Sequence, residues 1–99
     1  MKSVTPTEFA ALGPDAVLID VRELDEVAEV RTERGIVMPM TTFLDHIEEL
    51  PEGPLHVMCL VGGRSMRVVA YLEQQGYDAI NIDGGIQAWE AEGLPVIRA

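Results

Sequence analysis

Cysteine is nearly missing from this chain: its 99 residues include one, Cys59. A single thiol cannot close an internal disulfide, and an unpaired thiol suits a reducing compartment, so a cytoplasmic location is expected. Basic residues are scarce as well, seven Lys and Arg against seventeen Asp and Glu, for a net charge of −10. That balance excludes nucleic acid as a partner, because its binding rests on cationic contacts with phosphate. It also means that an anionic ligand must be attracted locally, against the overall field. No apolar run approaches the about 20 residues of a membrane span. The opening stretch Met1-Lys2-Ser3-Val4-Thr5-Pro6 lacks the apolar segment of a signal peptide. Internal repeats, low-complexity tracts and linkers are absent too.

What is present is a core: 47% of the residues are hydrophobic, and the length is that of one domain, residues 1–99. Thr5-Pro6-Thr7-Glu8 reads as a capping box with proline at the first helical position, and Gly13-Pro14 closes that helix after Leu12. Ala16-Val17-Leu18-Ile19-Asp20 is a continuous apolar run ending in a charge. Continuous rather than alternating hydrophobicity predicts a strand buried on both faces, hence a parallel sheet under helices. Leu24, Val27, Ala28 and Val30 then recur at helical spacing, with Asp25, Glu26 and Glu29 outward and Arg31 at the end that favours a cation. Gly35 to Pro39 reads as a short strand. Thr42 and Asp45 open another helix, with Phe43, Leu44, Ile47 and Leu50 on one face before Pro51. Leu55 to Met58 is a strand, Met66, Val69, Ala70 and Leu72 face inward from a helix, and Ala79 to Ile82 is a last strand. Asp83 is the expected N-cap of a final helix carrying Ile86 and Trp89. Strands alternating with helices predict a three-layer α/β/α domain with a mainly parallel sheet of about five strands. In such sheets ligands bind beyond the carboxyl ends of the strands, where Asp20 and Cys59 both fall.

The stretch Cys59-Leu60-Val61-Gly62-Gly63-Arg64-Ser65 carries the chemistry. It joins a strand to a helix start, where unpaired N–H groups and about half a positive charge favour an anion. A thiolate placed there has a lowered pKa and becomes a nucleophile at neutral pH. Gly62 and Gly63 suit a ring of inward-pointing amides, which needs unusual backbone angles and no Cβ in the way. Arg64 could bind a substrate oxyanion or brace the loop through a carboxylate.

These residues resemble the active-site loop of single-domain rhodanese-like sulfurtransferases, whose pattern is Cys-x-x-Gly-x-Arg-Ser. Leu18-Ile19-Asp20-Val21-Arg22-Glu23, followed by Glu26 and Pro39, is similar to the family's first signature. Gly76-Tyr77, Asn81-Ile82-Asp83-Gly84-Gly85, Trp89 and Gly93-Leu94-Pro95-Val96 are similar to its C-terminal one. The resemblance implies the three-layer α/β fold and a sulfur-transfer cycle. Cys59 takes a sulfane sulfur from thiosulfate, a polysulfide or a persulfide, and holds it as a persulfide among the loop amides from Leu60 to Ser65. It then passes the sulfur to an acceptor thiol, to cyanide or to a partner protein. No metal and no organic cofactor are implied, and Asp20 and Arg22 support the loop as an ion pair or touch substrate. Four residues separate Cys59 from Arg64, the short loop of sulfurtransferases; the related phosphatases have five.

The chain departs from the family pattern in two places. Val30-Arg31-Thr32-Glu33-Arg34-Gly35 stands where Gly-His-Ile-x-Gly-Ala is usual, and the apolar Leu60 and Val61 stand where many members carry a basic residue. The second departure disfavours the thiosulfate dianion and favours an organic persulfide or a protein donor. A sulfur-carrier or redox-sensing module and a non-catalytic binding module are the competing functions. His46 and His56 match no catalytic position and are expected in surface or structural roles.

Overall fold

The computed structural model describes residues 1–99. Its elements are β1 (Lys2–Val4), α1 (Pro6–Ala10), β2 (Val17–Asp20), α2 (Leu24–Glu29), β3 (Val30–Arg31), β4 (Ile36–Val37) and a 3-10 helix (Met40–Glu49). These are followed by β5 (Leu55–Met58), α3 (Gly63–Gln74), β6 (Ala79–Ile82), α4 (Gly85–Ala91) and β7 (Ile97–Arg98). Five strands form one sheet in the order β1-β6-β5-β2-β4, and every pairing in it is parallel. β3 and β7 make a separate antiparallel ribbon, with Val30 opposite Arg98.

The unbroken apolar runs have a direct cause, because each central strand is covered on both sides. Ile19, Leu55, Val57 and Ala79 point to one face, where Phe43 of the 3-10 helix and Val69 and Leu72 of α3 cover them. Leu18, Met58 and Ile82 point to the other, against Phe9 of α1 and Ile86 and Trp89 of α4. The result is the three-layer α/β/α arrangement. The capping box at α1 is present in full: the Thr5 hydroxyl accepts from the Glu8 amide and the Glu8 carboxylate from the Thr5 amide. His56 is buried inside β5, where its Nδ1 contacts Val17 O at 3.0 Å and its ring meets Phe9 edge-on at 5.0 Å.

Several sequence expectations fail. Leu24 is 68% exposed, whereas Glu26, expected outward, turns in toward α3. Helix α2 stops at Glu29, so Val30 and Arg31 enter the ribbon with β7 rather than a last helical turn. The segment after β4 winds as a 3-10 helix beginning at Met40; its tighter turn carries Leu44 out to solvent while Phe43 stays buried. Met66 is exposed on α3. The final helix is capped by Gly84 in a left-handed conformation, which leaves the Asp83 side chain free for Asn81. In the unusual 30–35 segment, Arg34 donates to Gly13 O and Ala16 O, and its guanidinium sits 4.7 Å from the Phe9 ring centroid. That one side chain ties the segment to the α1–β2 turn.

Candidate functional site

Strand β5 lies between β2 and β6, and Cys59 follows directly on its carboxyl end. The chain must then reverse into α3 within a few residues. Gly62 makes this possible with φ +120°, a region that side chains rarely adopt. The turn aims the Gly62 N–H at Cys59 Sγ, 3.1 Å away, and brings the Ser65 hydroxyl to 3.4 Å from the same sulfur.

A second helix start holds the loop from outside. The N–H groups of Ile86 and Gln87 donate to Cys59 O at 2.9 Å and Leu60 O at 3.1 Å. With these carbonyls drawn outward, the loop amides are left for the sulfur. So close an approach requires glycine at 85: a Cβ there would stand 2.3 Å from Cys59 O and 2.6 Å from Leu60 O.

The sulfur is buried, and burial pushes the Cys59 thiol up. The Ser65 hydroxyl and the peptide N–H groups of Ser65, Gly62 and Val61 outweigh that, and the net shift is downward. Ser65 is held in turn by Asn81, whose Oδ1 lies 2.6 Å from the hydroxyl, and Asn81 Nδ2 donates to Asp83 at 3.3 Å.

Two ion pairs frame this cradle. Arg64 grips Glu26 with both terminal guanidinium nitrogens, at 2.6 and 2.8 Å, tying the first turn of α3 to α2. The Arg64 contact holds the Glu26 carboxyl down at about 2. Below it, Arg22 is 1% exposed and donates to both Asp20 oxygens, to Val30 O at 2.7 Å and to Glu26 O at 3.4 Å. Asp20 and Arg22 therefore form a buried brace at the end of β2, and Arg64 takes the bracing geometry of its two alternatives.

Cys59, Leu60, Val61, Gly62, Gly63, Arg64 and Ser65 thus form one continuous turn around the sulfur. Leu60 and Val61 are exposed at its mouth. Gly63 does not need the backbone freedom expected of it: its φ lies outside the left-handed region and a Cβ would meet nothing within 4 Å. Glu26, Asn81 and Gly85 are the neighbours that the residue pattern did not single out for the site. Glu26 carried a signal, standing three residues after Glu23 in a capping box, but nothing local says that it reaches α3.

A family model described as the rhodanese-like domain matches residues 5–92. The chain is 40% identical to YtwF of Bacillus subtilis over 79 residues, which are 79% of this chain and 77% of that protein. It is 35% identical to a sulfurtransferase of Allochromatium vinosum over 85 residues, 84% of this chain and 79% of that one. Among solved structures, a rhodanese-related protein from Thermoplasma volcanium superposes with a TM-score of 0.91 at 28% identity, covering 98% of each chain. With the match extending over nearly all of its elements and the same fold beneath it, this chain belongs to the rhodanese-like domain family.

Proposed function

We propose that the chain is a rhodanese-type sulfurtransferase in which Cys59 carries the sulfur, working with organic or protein persulfide donors and a thiol acceptor rather than with thiosulfate and cyanide. The Cys59 thiolate attacks the outer sulfur of the donor R–S–SH. A Cys59 S–S bond forms as the donor's S–S bond breaks, and R–S⁻ leaves with the electron pair. The acceptor thiolate then attacks the outer sulfur, and Cys59 leaves as thiolate, so the cycle closes without net oxidation. The loop amides and Ser65 stabilise the sulfur anion at both stages. No metal or organic cofactor enters, because the sulfur itself is the group transferred.

The observation that carries this proposal is the Gly62 N–H at 3.1 Å from a buried sulfur, in a loop whose carbonyls are drawn outward by α4. The name of the Allochromatium relative supports the reaction class. Donor preference rests on charge. The loop's own cation, Arg64, is engaged by Glu26, Leu60 and Val61 at the mouth are apolar, and the chain carries −10 overall. A dianion gains little there. Arg67, one turn further along α3, lines a groove with Met40, Phe43, Leu44, Val68 and Tyr71. That surface suits the apolar part of an organic or protein donor.

Intact mass spectrometry after incubation with an organic persulfide tests the proposal. One added sulfur, removed by reductant and missing in Cys59→Ala, is the expected result. Equal labelling of the Ala variant, or none of the wild type, would overturn it.

A further inference from the structure

Ser65 is fully buried and has a single hydroxyl proton, yet three acceptors can surround its oxygen. Gly62 O lies at 3.0 Å, Asn81 Oδ1 at 2.6 Å and, once it has lost its proton, Cys59 Sγ at 3.4 Å. In the thiol form the arrangement closes: Cys59 S–H donates to Ser65 Oγ, and Ser65 donates to Asn81 Oδ1. The buried Asn81 amide is held in this sense by Asp83, which accepts from its Nδ2.

Ionisation reverses what the sulfur needs. With its proton released to water, Sγ is an acceptor only, and the same holds for the inner sulfur of a persulfide. If the Ser65 proton turns to the sulfur, Ser65 Oγ and Asn81 Oδ1 face each other as two acceptors at 2.6 Å. A buried contact of that kind costs about as much as a lost hydrogen bond. Half a turn of the Asn81 amide removes it, bringing Nδ2 to Ser65 and running the chain of donors toward the sulfur. Asp83 opposes the turn, since its carboxylate would then meet Oδ1; being exposed, its side chain can swing into water.

We infer that Asn81 is a positioning residue whose amide, anchored by Asp83, sets whether the Ser65 hydroxyl accepts from Cys59 or donates to it. The charged groups around the loop are Arg64 on α3, Glu23 and Glu26 from α2, the Asp20–Arg22 pair ending β2, and Asp83 after β6. Of these, only Asp83 is joined to the sulfur through side-chain hydrogen bonds. The inference rests on Cys59 being the reacting group, but its readout is the ionisation of that thiol and requires no sulfur donor.

Thiolate absorbance titrations of wild type, Asp83→Ala, Ser65→Ala and the double variant test it. Asp83→Ala frees the amide and is expected to lower the Cys59 midpoint by about one pH unit, the size of one hydrogen bond to a charged group. In the Ser65→Ala background the same change is expected to have no effect. An equal drop in both backgrounds would mean simple removal of a nearby charge and would overturn the inference, as would no drop at all. Nuclear Overhauser contacts in the wild type give an independent check. Those of the Asn81 amide protons should move from Asp83 to Ser65 as pH rises through the midpoint, and contacts that stay with Asp83 throughout would also sink it.

Discussion

Arg64 and Glu26 illustrate how one side chain's partner changes its role. Both terminal nitrogens of the guanidinium are engaged by the carboxylate, so the cation orients the first turn of α3 and contributes little free charge to an incoming donor. The sign of the pH dependence follows. Glu26 ionises at about 2 in the folded chain against 4.5 in the reference state, so its contribution is fully present above about 4.5 and is lost as pH falls toward 2. Glu26→Gln should therefore flatten the acid limb of the stability curve, measured by urea unfolding between those limits, with about 1 kcal/mol lost at neutral pH because the pair is partly solvated. The deeper pair behaves differently. Arg22 is sealed in with Asp20, and Arg22→Met leaves a buried carboxylate alone, at a cost of about 3–5 kcal/mol. Adding Asp20→Asn should recover part of that loss; a double variant as unstable as the sum of the singles would show that the two do not act as a pair.

Among the elements, α4 matters to the site as much as α3 does. Strand β5 delivers Cys59 and α3 follows the loop, but the first N–H groups of α4 hold the loop's carbonyls outward. Gly85 and Gly63 separate the two contributions. Gly85→Ala drives a Cβ into the Cys59 carbonyl at a left-handed backbone position, and should cost about 2–4 kcal/mol and slow thiol alkylation by disturbing the cradle. Gly63→Ala meets open space at the first helical position and should leave the melting temperature unchanged or raise it slightly. Thermal melts of the two variants side by side check the contrast, and equal destabilisation would refute it. The sequence alone ranks these glycines the other way, since Gly63 sits in the loop and Gly85 lies well beyond it.

For the whole molecule, the net charge of −10 and the apolar mouth act together. A dianionic donor approaches against the field and meets no free cation at Leu60 or Val61. Replacing Val61 by lysine adds one charge at the rim and should raise kcat/KM for thiosulfate on the order of tenfold, about the effect of one cation close to an anion near a protein surface. The gain should shrink as salt is added. A salt-independent gain, or none, would show that charge at the rim does not select the donor. An organic persulfide, whose outer sulfur can enter with an organic tail behind it, should be affected less.

The residues by themselves determined the local elements and the kind of chemistry. Unbroken apolar runs imposed buried parallel strands, the Thr5–Glu8 box fixed a helix start, and the four residues between Cys59 and Arg64 set the size of the turn. Each depends on neighbours in sequence, through backbone dihedrals and hydrophobic period. Strands β1 and β7 were not legible, because three and two largely exposed residues carry too little pattern to mark a strand; their partners create them. The tertiary structure alone decided that Glu26 faces Arg64 across 38 residues and that Ser65 meets Asn81 across 16. It also decided that Gly85 abuts the Cys59 carbonyl. These contacts follow from the strand order β6-β5-β2, which sets the carboxyl ends of three strands side by side around one sulfur. No local propensity encodes that order; it emerges when the strands bury both faces at once.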